Sequence, residues 1–238
     1  MNHKLEKLLR SLKWFTVTVL SFVFISRVFV PNCKFRTPTA TVAFDTNGYL
    51  LGAKIASDGQ WRFPQLDSVP KKFETCIKLY EDQYFDFHPG INPISILRAL
   101  RINIKSGKTV QGGSTLTMQV ARLIGPGGSR TIGKKIKELF ISLHLEINCS
   151  KKEILALYAS NAPFGGNVVG LDAAAWRYYS RNASQLSWAE YAVLAVLPNA
   201  PSLIYPGKNE EKLRNKRNNL LDKLKENGHI DAQTCKLS

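Results

Sequence analysis

Two carboxylates in this sequence stand among residues that suit catalysis. Glu81 opens the segment "EDQYFDFHPG" (residues 81–90), and Glu138 closes "GKKIKE" (residues 133–138). Two carboxylates that flank a sugar bond are the usual equipment of glycosyl chemistry, in which one handles a proton and the other stabilises charge. Two simpler interpretations stay open: an acid on a solvated loop, and a surface ion pair of Glu138 with Lys134 one turn earlier. Spacing alone does not show that the two carboxylates face each other.

A glycine-rich segment, "GGSTLTMQVAR" (residues 112–122), lies between these carboxylates. Its glycines release the backbone, and Ser114 or Thr115 can cap the helix that follows. The outward amides of a helix start suit an anion. The segment lacks the lysine of a phosphate-binding P-loop, so nucleotide binding is only weakly indicated. A plain helix cap is the simpler alternative.

Helices dominate the pattern from residue 73 onward and must position these segments. Asn92 followed by Pro93 predicts a helix start. That helix has an apolar side, consisting of Leu97, Leu100 and Ile104. It also has a basic side, consisting of Arg98, Arg101 and Lys105.

Further helix starts and one turn follow from capping patterns. Thr131 precedes apolar residues at helical spacing, namely Ile132, Ile136, Leu139 and Leu143. "SKKE" at 150–153 and "SWAE" at 187–190 are capping boxes. The last helix is predicted from about Glu210 to Asn227, ending at Gly228. Residues 32–70 look extended, with a hairpin turn at Asn47–Gly48. These patterns predict one predominantly α domain with a small β element at its entrance.

The N-terminus predicts a membrane anchor. A charge-free run, Trp14–Ser26, follows four basic residues: Lys4, Lys7, Arg10 and Lys13. Extended to Leu12–Pro31, the run is long enough to span a bilayer if the flanking cations reach the headgroups. A cleaved signal peptide is the alternative, but no suitable cleavage site follows. With the basic flank in the cytoplasm, the body lies outside.

The net charge of +15 favours an anionic partner: nucleic acid, an anionic membrane surface or a phosphorylated substrate. Export of the body makes nucleic acid an improbable partner, so none is expected. The four cysteines are Cys33, Cys76, Cys149 and Cys235. None lies close to another in sequence, so we interpret them as structural residues or free thiols, and we predict no metal-ligating residues.

The motifs together resemble glycosyltransferase family 51. "EDQYFDFHPG", "GGSTLTMQ", "GKKIKE" and "KKEILALY" occur in the order and spacing of its motifs. The similarity covers about residues 40–230 and is greatest to the 1C-type class A penicillin-binding proteins. The family comprises the peptidoglycan glycosyltransferase domain of these proteins and the monofunctional transglycosylases. Ser160 stands where the family motif has asparagine.

The resemblance implies an enzyme that polymerises lipid II. The 4-hydroxyl of an incoming lipid II sugar attacks the donor chain, which is linked to undecaprenyl pyrophosphate. Glu81 would be the general base, and Glu138 would assist the departing pyrophosphate. The implied substrate-binding residues are Asp82, Ser114, Thr115, Gln119, Arg122, Arg130, Lys134 and Lys135. Phe85 and His88 are expected to be mainly structural. A divalent cation, Mg²⁺ or Mn²⁺, is a further option at the pyrophosphate.

The implied fold is mainly α and lysozyme-like, with an N-terminal transmembrane helix. The expected divisions are a basic cytoplasmic tail (1–11), the anchor (12–31), an extended linker with a small β element (32–72), the glycosyltransferase domain (73–230) and a tail (231–238). The expected location is the outer side of the bacterial cytoplasmic membrane, with cell-wall synthesis proteins as further partners. Fragments resembling transpeptidase motifs, such as "SVPK" at 68–71, occur in the wrong order and are interpreted as chance matches. A monofunctional protein and a truncated product both stay open.

Two other functions share these features. A lysozyme-like hydrolase would use the same fold and the same glutamate, but it has no pyrophosphate to bind with the predicted cations. A non-catalytic scaffold that binds lipid II would retain the fold without turnover.

Overall fold

The computed structural model describes residues 6–7, 9–14, 16–18, 20–21, 33–35, 37–108, 112–125 and 131–238. Helices from residue 71 onward are numbered α1 to α9. Their bounds are Lys71–Glu81, Pro93–Ser106, Leu116–Ile124, Ile132–Asn148, Lys151–Asn161, Leu171–Tyr179, Trp188–Val196, Glu210–Glu226 and Ala232–Leu237. The strands β1 to β5 are Thr41–Phe44, Leu50–Lys54, Trp61–Arg62, Pro163–Gly165 and Val168–Val169. The predicted mainly α class is confirmed, and the predicted tail at 231–238 contains the short helix α9.

The described part of the N-terminal segment is helical, at 6–7, 9–14, 16–18 and 20–21. Within the described residues, no helix combines the length and the apolarity needed to cross a membrane. Residues 22–31 of the predicted anchor lie outside the described residues. The anchor therefore stays a prediction.

Two small sheets stand beside the helices. β1 and β2 form the predicted antiparallel hairpin, with Gly48 at a positive φ of 82° in its turn. The second sheet, which the sequence analysis missed, has the order β3-β5-β4. β3 runs parallel to β5, so the chain before α1 is joined to the chain after α5. Strands of two or three residues carry too little periodicity to be recognised in a sequence.

The core is built around α5 and α7. Both begin with the predicted capping boxes, Ser150 with Glu153 and Ser187 with Glu190. Most of α5 is buried, and Tyr158 and Leu157 in it are almost fully enclosed. Each cap is a local contact that contributes about 1 kcal/mol to stability. Burial of the apolar side chains of these helices contributes more.

Two cysteines are joined, which corrects the interpretation of all four as structural residues or free thiols. Cys33 and Cys149 form a disulfide with a Cα–Cα distance of 6.0 Å and a sequence separation of 116. The bond ties the segment before β1 to the residue that ends α4. Cys76 and Cys235 are free. Such a pairing depends on the fold and cannot be deduced from sequence spacing.

The apolar side of α2 lies on the surface. Leu97, Leu100 and Ile104 are 65%, 54% and 72% exposed, whereas Ala99 is buried. Two apolar residues of α4, Ile132 and Ile136, are also exposed. Helical spacing thus correctly indicates amphipathic helices here, but these apolar residues do not pack into the core.

Candidate functional site

Glu81 is the last residue of α1 and is half-buried. Gln119 Nε2 donates to its Oε2 at 2.8 Å, and Asn199 Nδ2 approaches its Oε1 at 3.5 Å. Burial raises the pKa of Glu81, while the two amides and the charge of Lys216 oppose that rise. Oε1 is the less firmly held oxygen and is therefore the better placed to take a proton.

Asp82 is buried and links the first motif to α3. Its carboxylate lies 3.0 Å from His88 Nε2 through each oxygen. It also accepts from the backbone N–H of Leu116, the first residue of α3, at 2.9 Å. The anion predicted at the start of α3 is thus the Asp82 carboxylate of the chain itself. Contact of Asp82 with the substrate stays a prediction.

Thr115 caps α3 and binds the end of the first motif. Its hydroxyl accepts from the backbone N–H of Met118 at 3.1 Å and donates to the Gly90 carbonyl at 2.6 Å. Gly90 has a positive φ of 81°, and a Cβ there would lie 2.9 Å from the Ser142 carbonyl oxygen. Only glycine suits this position. The loop that follows Glu81 is therefore fixed against α3 and α4.

One face of α3 reaches both carboxylates. Gln119 contacts Glu81, and Arg122, three residues later, contacts Glu138. Residues three apart lie on the same face of a helix, about 4.5 Å apart along its axis. The structure therefore brings the two predicted carboxylates to one helix, which spacing alone did not show.

Glu138 is buried beneath two cations. Arg122 donates through Nε to Oε1 at 3.0 Å and through a terminal nitrogen to Oε2 at 3.3 Å. Lys135 Nζ lies 3.6 Å from Oε2 and donates to Ser114 Oγ at 2.8 Å. Both cations keep part of their surface exposed. One carboxylate under two cations leaves net positive charge at the surface, which suits a phosphate group.

The two remaining predicted substrate-binding residues are Lys134 and Arg130. Lys134 lies in the first turn of α4, where its backbone N–H donates to Thr131 Oγ1 at 3.3 Å. Arg130 lies outside the described residues. Ser160 is buried and accepts from the backbone N–H of Leu66 at 2.9 Å, so it holds the linker before α1.

Several residues near Glu81 were missed or given no role in the sequence analysis. A cleft of about 50 Å³ beside Glu81 and Ser114 is also lined by Tyr84, Ser95 and Arg98. Asn199 approaches Glu81 from the short 3-10 turn Leu197–Asn199 that follows α7. Lys216 of α8 contacts Asn199 in turn, and neither residue belongs to the motifs. Asn199 lies in "LPNAPS", where a proline breaks a buried helix, and that break is the one signal that could have marked it.

The described residues do not form a ready metal site. Among them, no group of three or more His, Cys, Asp or Glu side chains is placed to hold an ion. Both oxygens of Glu138 already accept hydrogen bonds from Arg122. The divalent cation that the resemblance implies stays a prediction.

Comparisons with known proteins agree with this geometry. A family model described as Transglycosylase matches residues 50–225. The chain is 44% identical over 200 residues to penicillin-binding protein 1C of Escherichia coli (strain K12), covering 84% of this chain and 26% of that protein. It is 34% identical over 196 residues to penicillin-binding protein 1A of Aquifex aeolicus (strain VF5), covering 82% and 27%. The chain therefore spans about a quarter of the length of these curated relatives.

A solved structure is similar only at a distance. Penicillin-Binding Protein 1A from Haemophilus influenzae aligns with a TM-score of 0.46 and 19% identity, covering 85% of this chain and 20% of that one. The sequence relatives, and not this alignment, establish the family.

Proposed function

The chain belongs to the transglycosylase family, and we propose that it is a peptidoglycan glycosyltransferase that joins lipid II units into glycan strands. The observation that carries this proposal is the shared face of α3, on which Gln119 holds Glu81 and Arg122 holds Glu138. A proton acceptor and a cationic cluster thus lie about one helical turn apart. That separation suits a donor sugar with the acceptor on one side and its pyrophosphate on the other.

Glu81 is the proposed general base. As the acceptor 4-hydroxyl oxygen forms its bond to the donor anomeric carbon, its proton moves to Glu81 Oε1. The bond between that carbon and the pyrophosphate oxygen breaks, and its electron pair leaves with the pyrophosphate. A base whose pKa is raised toward the working pH accepts a proton more readily during the reaction. The partial burial of Glu81 supports this role.

The cluster of Arg122, Lys135 and Ser114 is the proposed binding site of the departing pyrophosphate. Such a leaving group needs positive charge, not a proton, to depart. Glu138 holds Arg122 by a two-pronged contact and lies beneath Lys135, so it orients both cations. Lys134 and Arg130 are proposed to extend this positive surface. A glycan hydrolase has no pyrophosphate to bind, so the cluster favours transfer over hydrolysis.

Gln119, Asp82 and Thr115 are proposed to position the catalytic groups. Gln119 orients Glu81 beside the donor. Asp82 and Thr115, which bind backbone groups of α3 and the loop before α2, are proposed to shape the substrate site from beneath.

The exposed apolar side of α2 supports a location at the membrane. Ile94 and Phe87 are 77% and 85% exposed, beside the exposed Leu97, Leu100 and Ile104. Large exposed apolar surface marks an interaction site, and neighbouring basic residues suit anionic headgroups. With the anchor predicted at 12–31, this surface is proposed to rest on the outer leaflet, where the lipid carrier of the donor lies. Other cell-wall synthesis proteins are proposed as further partners.

Polymerisation of purified lipid II by the full chain in detergent tests the function. We expect glycan polymer from the wild type and a loss of about 10²–10⁴-fold in rate for Glu81→Gln. Glu211→Gln, an exposed carboxylate at the start of α8, is the control and should retain activity. Release of soluble fragments from isolated cell walls would indicate the hydrolase instead. Binding of lipid II by folded protein that makes no polymer would indicate the scaffold.

A further inference from the structure

Lys216 of α8 is linked to Glu81 through Asn199, which contacts the carboxylate oxygen that Gln119 of α3 does not bind. Its Nζ donates to Asn199 Oδ1 at 2.6 Å and to the Tyr80 hydroxyl at 3.2 Å. Asn199 in turn points Nδ2 toward Glu81 Oε1 at 3.5 Å. These contacts form a chain of side chains from Tyr80 through Lys216 and Asn199 to Glu81, and the backbone of α1 joins Tyr80 to Glu81.

The direction of hydrogen bonding in this chain of side chains is determined by Lys216. A protonated lysine has three donors and no acceptor, so the Asn199 amide must turn its oxygen toward the ammonium group. Its NH₂ group then faces Glu81, whose ionised carboxylate is the stronger acceptor of that hydrogen bond. A neutral side chain at position 216 would let the amide turn over and present its oxygen to the carboxylate.

We propose that Lys216 is a positioning residue for Glu81, which it serves by orienting Asn199 and by placing a positive charge behind the base. The inference rests on the proposed role of Glu81 as the general base. Neither Lys216 nor Asn199 was assigned a role by the sequence motifs. Lys216 is half-buried, so its charge is less screened than that of a surface lysine.

The charged and titratable groups around Glu81 agree with this role. From α8, the charge of Lys216 lowers the pKa of Glu81, against the burial that raises it. Asp82, the next residue in the chain, raises the pKa of Glu81. Burial raises the pKa of Tyr80 and of Tyr158, and the charge of the Glu81 carboxylate raises each further.

The ionisation of Lys216 is itself coupled to the base. Burial lowers the pKa of Lys216, and Lys212 lowers it further, whereas the Glu81 carboxylate raises it. Lys216 is therefore charged most firmly when Glu81 is ionised, which is the state that accepts a proton.

The test is the pH dependence of Lys216→Met, with Lys216→Arg as the charge-conserving variant. The control is Lys225→Met, which removes the same charge from an exposed site on α8 that pairs with Asp222. We expect the acid limb of the kcat/KM profile to move to higher pH in Lys216→Met, with a loss of about tenfold below the limb and little loss on the alkaline plateau. Lys216→Arg should restore the profile. An equal loss at every pH, with the limb unmoved, would overturn the proposal.

A second measurement separates this inference from the proposed function. The Glu81 carboxyl carbon, labelled with ¹³C and identified by its absence in Glu81→Gln, is titrated by NMR in the full chain. Its titration should move to higher pH in Lys216→Met and stay in place in Lys225→Met. No movement contradicts the inference even if polymerisation falls. Movement together with a wild type that makes no polymer supports the coupling and rejects the enzymatic function.

Asn199→Leu keeps the proposal testable if Lys216→Met does not fold, because Asn199 is exposed on the surface. This variant should also move the Glu81 titration to higher pH, since it removes one donor. An unchanged titration in Asn199→Leu would show that the amide does not transmit the effect of Lys216.

Discussion

The surroundings of the two carboxylates differ in kind. Glu81 is approached by neutral amides, Gln119 at 2.8 Å and Asn199 at 3.5 Å, with Lys216 behind them. Glu138 is approached directly by cations, with Arg122 at 3.0 Å and Lys135 at 3.6 Å. Gln119 and Arg122, which contact the two carboxylates, lie within one turn of α3.

This difference corresponds to two tasks in one reaction. Neutral donors orient a carboxylate but leave it able to accept a proton, as a base must. Direct cations use a carboxylate as an anchor and leave a positive surface for an anion. The same residue type thus serves opposite needs because of its neighbours, and each of the following predictions changes one set of neighbours.

Replacement of Arg122 should have the largest effect among these changes. Arg122→Gln removes one cation of the proposed pyrophosphate site, and a hydrogen bond to a charged group is worth about 1.5–3 kcal/mol, or about 10–150-fold in rate. Arg122→Lys keeps the charge but not the fork, so its loss should be smaller, about tenfold or less. Steady-state polymerisation at several donor concentrations measures both. Equal rates for Arg122→Lys and Arg122→Gln would show that charge at this position is unimportant.

Gln119→Glu would bring a second carboxylate to Glu81 and so abolish its neutral surroundings. Two carboxylates about 3 Å apart cannot both ionise easily, so the pKa of the base should rise further. We expect the acid limb of the rate profile to move up by about one pH unit, with about tenfold less activity below it. Gln119→Leu is the control, which removes the amide without adding charge. A limb that moves equally in both variants would contradict the electrostatic explanation.

Added salt should act on the Glu138 side and spare the Glu81 side. The cations near Glu138 are partly exposed, so raising salt from about 0.05 to 0.5 M should weaken donor binding by a few-fold. The measurement is KM for lipid II at fixed pH and fixed detergent. The position of the acid limb should change less than KM, because Glu81 is half-buried and its direct partners, Gln119 and Asn199, are neutral. A KM that does not respond to salt would argue against a cationic donor site.

The smallest effects concern stability, and they should differ in sign. Burial raises the pKa of Glu81 in the folded state, so at pH above its unfolded pKa the ionised form destabilises the fold. Glu81→Gln should therefore raise Tm at neutral pH by about 2 °C, and the gain should vanish as pH falls below the ordinary carboxyl pKa. Calorimetric scans at neutral and acidic pH measure this.

Glu138→Gln provides the matched comparison for stability. It leaves Arg122 and Lys135 without their shared carboxylate, so Tm should fall by a few degrees. A Tm that falls in both variants would show that Glu81 stabilises the fold and is not strained by its burial.

The regions that the sequence predicted well are those governed by local chemistry. The caps at Asn92, Thr131, Ser150 and Ser187 all form. Each depends on a side chain that reaches a backbone amide within three residues, so no distant contact is needed. The hairpin turn at Gly48 is local for the same reason.

The outward side of α2 shows where local pattern fails. Its apolar spacing is that of a buried helix, yet Leu97 and Ile104 are exposed. The periodicity of a helix states which residues share a face and does not state what the face contacts. Gly113 packs so closely on α2 that a Cβ there would lie 2.9 Å from the Ile96 Cα, a contact between distant segments that the helical pattern does not indicate.

The sequence by itself determined the two carboxylates, the helix starts and the family, because all three reside in short segments in a definite order. The tertiary structure alone decided the Cys33–Cys149 bond, the meeting of Gln119 and Arg122 with different carboxylates, and the approach of Lys216 to Asn199. These contacts join residues that are 16 to 116 positions apart in the sequence. Long-range contacts arise from how helices pack, and no local pattern encodes them.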